Sequence, residues 1–449
     1  MRLFLLIVLI LPLYLNAQII SPSDELIDHS KSFSEDSTEW LINVATTRRI
    51  NGSRYSDFVI DKNGKAYISS FEMKEDMQEY GMLYSVSEDG KTIDKNEIGL
   101  GRLYAISKGK NDLVFGGNVE ISEGDVVNLN SKEVVFKSDL NLNDIKRLNG
   151  FGNMTILNIA AADNENFYLN GEGNGRISFG NISTSLSEKG QFIAKINSKN
   201  ECEWIRPMLN NATISRLECD KNGRVWISGH FFKKMQFCGK VYETADNFDA
   251  DAFLFALDEN GELVFEKTFG SYGVQQQGYR SSDKISFITK DVNGNIHFVG
   301  VLDGQIFIDN KPFGKTGFKQ LYHGKIDIEN LELTSFLLFG ESQSNIAVFS
   351  IAVDENENLY ITGTAINGTI GENKIKNRKP FTCFIVKFDR KMDAIWFKRC
   401  ENSDATVRCL QIHGDFLWAS GHYRNQLFIE NQQIINRGGH ELFLLKLKK

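Results

Sequence analysis

The stretch Ile351–Thr364 reads IAVDENENLYITGT and contains the pattern that the rest of the chain repeats. An apolar segment runs into a turn of the Asp-x-Asn type. A second apolar segment, which carries an aromatic residue, leaves the turn and ends at a glycine. Alternating apolar residues bounded by Asp, Asn and Gly are typical of short strands joined by a tight turn. The stretch therefore predicts a β-hairpin.

This hairpin pattern occurs seven times, and neighbouring copies are 47 to 71 residues apart. The copies align on the residue after the second strand, which is Ser70, Gly117, Gly171, Gly229, Gly300, Gly363 or Gly421. We number the seven repeat units in this order. No copy contains a long segment with a period of 3.6 residues and helix caps, so a helical repeat is excluded.

Each unit has a second half, in which an apolar strand meets a polar turn and a further strand that often carries Trp. Examples are Phe192–Arg206, Phe253–Lys267 and Phe384–Lys398. Four strands per unit, first to fourth, are therefore expected. One four-stranded sheet cannot bury both faces alone, so we predict an all-β, seven-bladed β-propeller of four-stranded antiparallel blades. A parallel β-helix is the alternative fold, and the hairpin turns disfavour it.

The two ends of the chain predict how the ring closes. The last unit stops after a third strand at Glu441–Leu447, whereas Glu39-Trp40-Leu41-Ile42 has the pattern of a fourth strand, as in Glu203–Arg206. We therefore predict that the N-terminal strand Trp40–Thr46 pairs antiparallel with Glu441–Lys448 and completes the last blade. The alternative is that Trp40 covers a sheet edge from a loop.

The pattern at Ile351–Gly363, followed by D-A-F-L-x-x-L-D-x-x-G as at Asp251–Gly261, resembles the bacterial beta-propeller (SBBP-type) repeat family. The pattern recurs over nearly all of the mature chain and is degraded around Gly117. The resemblance implies a propeller of exported bacterial proteins and implies no single activity. Many relatives carry a C-terminal sorting domain, and this chain ends at Leu445–Lys449 without one, so surface display by that route is not expected.

The N-terminus predicts export to the periplasm or the cell exterior. Residues 1–17 have one Arg, an apolar run and a small residue at Ala17, which is the layout of a cleaved signal peptide. A membrane anchor is the alternative, although the apolar run is short for a span of about 20 residues. We expect no membrane span after cleavage, a lead-in segment over 18–37 and the propeller over 38–449.

Charge and cysteine content restrict the partners and the cross-links. The net charge is −7 and the basic residues are scattered, so a nucleic-acid partner is not expected. We predict that Cys383 and Cys400, in paired third and fourth strands, approach each other, with Cys409 as the competitor for Cys400. Free buried thiols are the alternative. All six cysteines are Cys202, Cys219, Cys238, Cys383, Cys400 and Cys409.

The longest connections mark the candidate binding site. Second-to-third connections and links between units lie on one face of the predicted disc, and the longest are Gly229–Ala252 and Thr268–Ser282. Variable loops on a rigid ring are where binding usually occurs. The candidate binding residues are His230, Phe231, Tyr242, Phe248, Tyr272 and Arg280. Drift in loop length without a ligand is the alternative.

Metal binding is a weaker hypothesis. Asp246, Asp249 and Asp251 could supply carboxylate oxygens to calcium, but the stretch lacks the twelve-residue calcium loop. The Asp-x-Asn-Gly motifs are interpreted as hairpin turns, and no other cofactor is expected. His230 and His422 occupy the same place in two distant units, so we interpret them as independent residues.

No Gly-x-Ser-x-Gly, His-Glu-x-x-His or phosphate-loop motif occurs, so the sequence favours a non-enzymatic role without deciding the question. The leading hypothesis is an exported β-propeller binding or scaffold protein with a protein or glycan ligand on the long-loop face. The alternative from another class is a propeller-fold polysaccharide hydrolase or lyase. A structural subunit of an envelope assembly is a third hypothesis.

Overall fold

The computed structural model describes residues 38–47, 57–120, 133–148, 150–244, 250–271, 283–308, 311–376, 382–400 and 404–449, and the regular structure in these ranges is β-strand. Residues Asp36–Lys449 form one contact unit. The predicted signal peptide and lead-in segment lie outside the described residues. Within the described ranges there is no helix with the length and apolar character needed to cross a membrane.

The strands are numbered in chain order. The first half contains β1 (Thr38–Thr47), β2 (Asp57–Ile60), β3 (Ala66–Met73), β4 (Glu79–Val86), β5 (Ile93–Lys108), β6 (Asp112–Glu120), β7 (Glu133–Asp139), β8 (Lys146–Leu148), β9 (Gly150–Ala161), β10 (Phe167–Phe179), β11 (Ile182–Ile196), β12 (Cys202–Leu209), β13 (Ala212–Cys219), β14 (Val225–Phe232), β15 (Lys234–Phe237) and β16 (Lys240–Glu243). The second half contains β17 (Ala250–Leu257), β18 (Leu263–Phe269), β19 (Lys284–Lys290), β20 (Ile296–Ile308), β21 (Lys311–Asp327), β22 (Glu332–Ser342), β23 (Asn345–Val353), β24 (Leu359–Ile366), β25 (Gly368–Ile370), β26 (Asn373–Ile375), β27 (Thr382–Phe388), β28 (Ala394–Arg399), β29 (Asp404–His413), β30 (Phe416–Ile429) and β31 (Gln432–Lys448).

These strands form six antiparallel sheets, where the sequence predicted seven separate ones. Their strand orders are β2-β3-β4-β5-β6-β7-β8, β16-β15-β12-β11-β10-β9, β13-β14-β17-β18, β19-β20-β21-β22-β25-β26, β23-β24-β27-β28 and β1-β31-β30-β29. The difference in number arises at β5, whose 16 residues pair with β4 over Ile93–Leu100 and with β6 over Leu100–Lys108. Units 1 and 2 therefore share one sheet. The all-β antiparallel prediction is confirmed.

The predicted pairing of the chain ends is also confirmed. Strand β1 pairs antiparallel with β31, with Trp40 opposite Lys446 and Thr46 opposite Glu441. The Trp40 ring meets the buried Trp418 ring edge-on, with centroids 5.0 Å apart. The N-terminal strand is thus the fourth strand of the sheet that contains the last repeat unit.

The first strands of successive units lie against each other. The contacting pairs are β2 with β5, β5 with β9, β9 with β13, β13 with β19, β19 with β23, β23 with β29, and β29 with β2. Side chains of one unit also supply hydrogen-bond partners to the edge strand of the next. The bonds are Ala161 N–H to Ser107 Oγ (2.9 Å), Ile214 N–H to Gln191 Oε1 (2.7 Å), Leu410 N–H to Ser350 Oγ (3.1 Å) and Ile60 N–H to Gln411 Oε1 (3.2 Å). These bonds satisfy four backbone N–H groups that lie on edge strands of their sheets.

The repeated glycine is explained by a β-bulge in the first strand. In unit 6, Gly363 pairs with Val348, and the register then shifts by one so that Phe349 is the extra residue. A Cβ at Gly363 would lie closer to the carbonyl oxygen of Ala347 than real Cβ atoms come to other atoms. Five other units have the same bulge: one extra residue follows the first-strand residue that pairs with the glycine. These glycines are Gly117, Gly171, Gly229, Gly300 and Gly421. The glycine is thus needed for close approach of two backbones.

The Asp of each turn is explained by local hydrogen bonds. One oxygen of Asp354 accepts the N–H groups of Asn356 (2.9 Å) and Asn358 (2.8 Å), and the other accepts the hydroxyl of Tyr360 (3.1 Å). Asp61, Asp220, Asp258, Asp291 and Asp389 accept the same pair of backbone groups. These carboxylates stabilise the hairpin turns, in agreement with our interpretation of the motif.

In the described part of the chain, the second-to-third connections of units 3 to 7 contain further hairpins. In units 3, 5 and 7, the second and third strands are themselves extended into a hairpin. In units 4 and 6, the separate hairpins β15–β16 and β25–β26 pair with the outer strand of the preceding unit, with Met208 opposite Phe237 and Gly340 opposite Ile370. The apolar residues Met235, Phe237, Ile370 and Ile375 are buried in the cores. The hairpins therefore join neighbouring units.

The close approach at the repeat glycine predicts a large effect of a single methyl group. We expect Gly363→Ala to lower the free energy of unfolding by about 2–3 kcal/mol, because the new Cβ would overlap the backbone of β23. Gly180→Ala is the control: a Cβ there meets nothing within 4 Å, and only the strain of its φ of +58° remains. This strain is worth about 1 kcal/mol. Urea unfolding of both variants measures the difference, and equal losses would contradict the explanation.

The strand pairing at the chain ends predicts that β1 stabilises the last sheet. A chain that begins at residue 48 should lose several kcal/mol relative to one that begins at residue 38, because it lacks a hydrogen-bonded strand and the Trp40–Trp418 contact. Urea midpoints and slopes of the two chains measure the effect. The same midpoint in both chains would show that β1 adds no stability.

Candidate functional site

Four side chains from four repeat units meet where the first strands lie against each other. These side chains occupy equivalent positions in their units, because each residue pairs with the one just before the alignment position. They are Asp57 on β2, Arg216 on β13, Phe287 on β19 and Cys409 on β29. We call them the central cluster. The Arg216 guanidinium donates to Asp57 at 2.6 Å and lies 4.7 Å from the Phe287 ring centroid. The Cys409 sulfur lies 3.5 Å from Asp57.

The central cluster contains a largely buried ion pair, which joins units 1 and 4. The side chain of Asp57 is 5% exposed and that of Arg216 is 18% exposed. Burial acts to lower the pKa of Arg216, but the charge of Asp57 outweighs it and raises this pKa. Burial, together with the nearby Asp57, raises the pKa of the Cys409 thiol. Removing either charge would leave the other buried and unpaired, so the cluster holds these strands together rather than offering a vacant charge.

The second feature is a polar cleft of about 380 Å³ on the turn side of units 5 and 6. We call it the relay cleft. Its lining residues are Asn295, His297, His323, Lys325, Asp327, Thr334, Ser335, Glu357, Leu359 and Arg390. The strands β20 and β21 supply the two histidines, and Glu357 comes from the first turn of unit 6.

Three buried side chains form a hydrogen-bonded chain at the relay cleft. Asp291 Oδ2 lies 3.3 Å from His297 Nε2, and His297 Nδ1 lies 3.0 Å from His323 Nε2. The carboxylate accepts from Nε2–H of His297, so His297 Nδ1 must accept from Nε2–H of His323 when both rings are neutral. His323 Nδ1 is then a buried acceptor, and it has no hydrogen-bond partner among the residues that the structure describes.

The surroundings keep both imidazoles neutral. Burial lowers the pKa of His297, and the hydrogen bond to Asp291 offsets this only in part. Burial, with smaller effects of His297 and Lys325, lowers the pKa of His323 well below its usual value. Burial acts to raise the pKa of Asp291, but hydrogen bonds from His297 and Asn295 outweigh it and lower this pKa. A chain of this type can orient a base or respond to acid.

Sequence reasoning missed the relay cleft. The available signal was at Asp291–His297, DVNGNIH, where His occupies the place that Tyr360 and Trp226 take in other units. Those aromatic side chains donate to the second oxygen of their turn Asp, and His297 contacts Asp291 in the same way. His323 lies on the third strand, so its contact with His297 depends on the register of β20 and β21.

The structure describes three of the six predicted binding residues. Phe231 is fully buried in the core shared by units 3 and 4, so it cannot contact a ligand without opening that core, and its assignment is corrected to a core residue. His230 is half-buried on β14 opposite Ala252. Tyr242 lies on the hairpin strand β16, where its hydroxyl donates to Glu266 at 2.5 Å. Binding by His230 and Tyr242 stays a prediction, and Phe248, Tyr272 and Arg280 lie outside the described residues.

The predicted calcium ligands are only partly described. Asp246 and Asp249 lie outside the described residues, and Asp251 is buried beside Gly270. Among the residues that the structure describes, no three His, Cys, Asp or Glu side chains are grouped so as to hold a metal ion. Calcium binding therefore stays an untested prediction.

The predicted cysteine contact is confirmed. The sulfur atoms of Cys383 and Cys400 are 3.0 Å apart, and the N–H of Cys400 donates to the carbonyl of Cys383. Both are free thiols in the structure and both are buried. The predicted competitor, Cys409, contacts Asp57 in the central cluster instead.

Comparison with known proteins agrees with the repeat pattern. Residues 336–369 match the beta-propeller repeat (SBBP) family. No curated protein matches the chain. Three similar solved structures are a PL25 ulvan lyase bound to a saccharide (11% identity, TM-score 0.44, 89% of this chain and 97% of that chain), the β-propeller domain of the Trilobed protease from Pyrococcus furiosus (10%, 0.46, 86% and 98%) and a protein from Lactobacillus plantarum (9%, 0.42, 84% and 99%).

The relay cleft predicts loss of stability in mild acid. The pKa values of His297 and His323 are lowered in the folded protein, so below about pH 6.5 the unfolded chain binds more protons than the folded one. The free energy of unfolding should therefore fall with decreasing pH, by at most about 1.4 kcal/mol per pH unit for each imidazole. Urea unfolding at pH 8, 6.5 and 5 measures this slope.

The double variant His297→Gln/His323→Gln should have a smaller pH slope than the wild type. Thr334→Val is the control, because it changes the lining of the same cleft without removing a titratable group. A double variant with the wild-type slope would show that these histidines do not cause the acid sensitivity.

Proposed function

We propose that this protein is an exported, seven-bladed β-propeller that acts as a binding or scaffold protein. The cyclic contacts of the first strands, from β2 through β29 and back to β2, support seven blades in a closed ring. The shared strand β5 serves two blades in this arrangement, and β1 completes the seventh. The apolar N-terminal stretch supports export by a cleaved signal peptide.

We place the binding surface on the face that carries the second-to-third hairpins, which we call the hairpin face. One observation carries this assignment: large apolar side chains that are more than half exposed come from five units on this face. They are Met77, Phe151, Val241, Phe307 and Ile435. On the turn face, among the described residues, Val292 alone is exposed to this extent. We infer that these side chains contribute to an interaction surface, because contiguous exposed apolar patches mark such surfaces.

The residue types favour a protein over a glycan as the partner. Phe151, Val241, Phe307 and Ile435 have pure hydrocarbon side chains, and Met77 adds only a thioether. Saccharide sites, in contrast, require converging hydrogen-bonding groups. Protein interfaces bury apolar centres that contain Phe and Met. The net charge of −7 and the scattered basic residues do not favour nucleic acid as the partner. No cofactor is part of this proposal.

A polysaccharide hydrolase or lyase is the second candidate. Its support is the relay cleft, in which a carboxylate-oriented pair of neutral histidines lies beside Lys325 and Glu357. His323 Nδ1 is buried, however, so a substrate could reach this base only after the cleft opens. The hairpin-face assignment needs no such movement, and we therefore prefer the binding role.

The hairpin face predicts a selective loss of binding. In the triple variant Phe151→Ser/Phe307→Ser/Ile435→Ser, exposed apolar area is removed from three units, so capture of envelope proteins by the immobilised protein should fall at least about tenfold. Val292→Ser is the matched control, since Val292 is 68% exposed on the opposite face. Circular dichroism of each variant confirms folding.

Proteins retained equally by the wild type and the triple variant would contradict the hairpin-face assignment. A glycan array probed with the wild type, the triple variant and Val292→Ser tests whether the partner is a glycan. Specific glycan binding that the triple variant keeps, with no protein captured, would overturn the protein partner. Cleavage of a polysaccharide that is lost in His323→Gln would support the enzyme candidate instead.

A further inference from the structure

Two neighbouring cysteines at the end of unit 6 belong to neither the central cluster nor the relay cleft. Cys383 lies on β27, and Cys400 follows β28 directly. Phe384 pairs with Arg399 in the ladder, so the two cysteines occupy the next position along the same two strands. The N–H of Cys400 donates to the carbonyl of Cys383 at 3.0 Å, and their sulfur atoms are also 3.0 Å apart.

We propose that Cys383 and Cys400 are joined by a disulfide bond in the mature protein. A disulfide requires sulfur atoms about 2.05 Å apart, so the two sulfurs need to approach by only about 1 Å. Small rotations of the two side chains supply this movement, because the backbone hydrogen bond already fixes the strands next to each other. The inference is independent of the binding role, but it rests on the proposed export of the protein.

The bond forms by thiol–disulfide exchange with an exported dithiol oxidant in its disulfide form. One cysteine thiolate attacks the oxidant and releases one of its sulfurs as a thiolate, leaving a mixed disulfide. The second cysteine thiolate then attacks this mixed disulfide, forms the Cys383–Cys400 bond and releases the other sulfur. The two protons lost by the cysteines are taken up by the reduced oxidant, which receives two electrons.

Burial decides when this exchange takes place. Cys383 is completely buried and Cys400 is 5% exposed, so an oxidant cannot reach them in the folded protein. The hydrogen bond to Cys383 and burial also raise the pKa of the Cys400 thiol well above its usual value, and the reactive thiolate is therefore scarce. The disulfide must therefore form while the exported protein is folding. Protein that folds in a reducing compartment keeps both thiols.

The position gives the bond a structural effect. Both cysteines belong to one apolar core with Ala405, Val407 and Tyr423, which lie on β29 and β30 of unit 7. The bond would fix the outer strand of unit 6 where the chain enters unit 7. Cys219 and Cys409 have other contacts, with the carbonyl of Ala160 and with Asp57.

The test compares protein made with export into an oxidising compartment and protein made in a reducing cytosol. Each sample is denatured in the presence of an alkylating reagent, and its thiols are counted by mass spectrometry. We expect four alkylated cysteines in the exported protein and six in the cytosolic one. Tryptic digestion should give one cross-linked pair, since Lys387 and Arg390 separate the two cysteines into different peptides.

The stability readout uses matched variants. Reduction should lower the Tm of the exported wild type by several degrees, because the closed loop no longer restricts the unfolded chain. Cys383→Ala should show no such change, and Cys219→Ala, a buried thiol in another core, should respond as the wild type does. Six alkylated cysteines in the exported protein, or a cross-link between other cysteines, would overturn the proposal. The thiol count of the wild type decides the question if a variant does not fold.

Discussion

The close approach of two backbones opposite each repeat glycine is the constraint on which the fold depends. The bulge that follows this contact bends the first strand and shifts its register by one. Because side chains alternate along a strand, the shift sets which residues enter the core and which meet the neighbouring first strands. The central cluster follows from it: Arg216 and Phe287 come directly after the extra residues Ser215 and Ser286, and so reach Asp57 and each other.

Much of this fold could be predicted from the sequence because its signals are local and repeated. Asp-x-Asn turns, alternating apolar strands and the fourth-strand pattern at Trp40 all act within a few residues, and the pairing of β1 with β31 followed from them. The glycine was recognised as a marker, but its role was not, because the bulge opposite it lies on another strand. The merging of units 1 and 2 through β5 was missed, because Gly99 and Gly101, on either side of the residue where β5 passes from one partner to the other, are more typical of a break between strands than of one continuous strand.

The candidate sites were harder to predict because they depend on contacts between units. A long second-to-third connection in the sequence indicated an open loop around His230 and Tyr242. In the structure, part of it is the hairpin β15–β16, which pairs with the preceding unit and buries Phe237. His297 and His323 are 26 residues apart and gave no motif, and only the register of β20 and β21 brings them within 3.0 Å. Local patterns identify turns, but long-range register decides which polar groups meet.

Unit 6 has a different kind of contact with each of its neighbours. At the interface with unit 5, Glu357 of unit 6 lies 3.0 Å from Lys325, and Lys325 lies 3.3 Å from Asp291. The charge state of the relay cleft therefore affects this interface. On its unit 7 side, Cys383 and Cys400 lie in the shared core. The apolar packing that is also present at both interfaces does not depend on pH or redox state. The two interfaces of unit 6 therefore contain different titratable groups. We expect protonation of the buried imidazoles to weaken the first, and reduction of the proposed disulfide to loosen the core that unit 6 shares with unit 7 at the second.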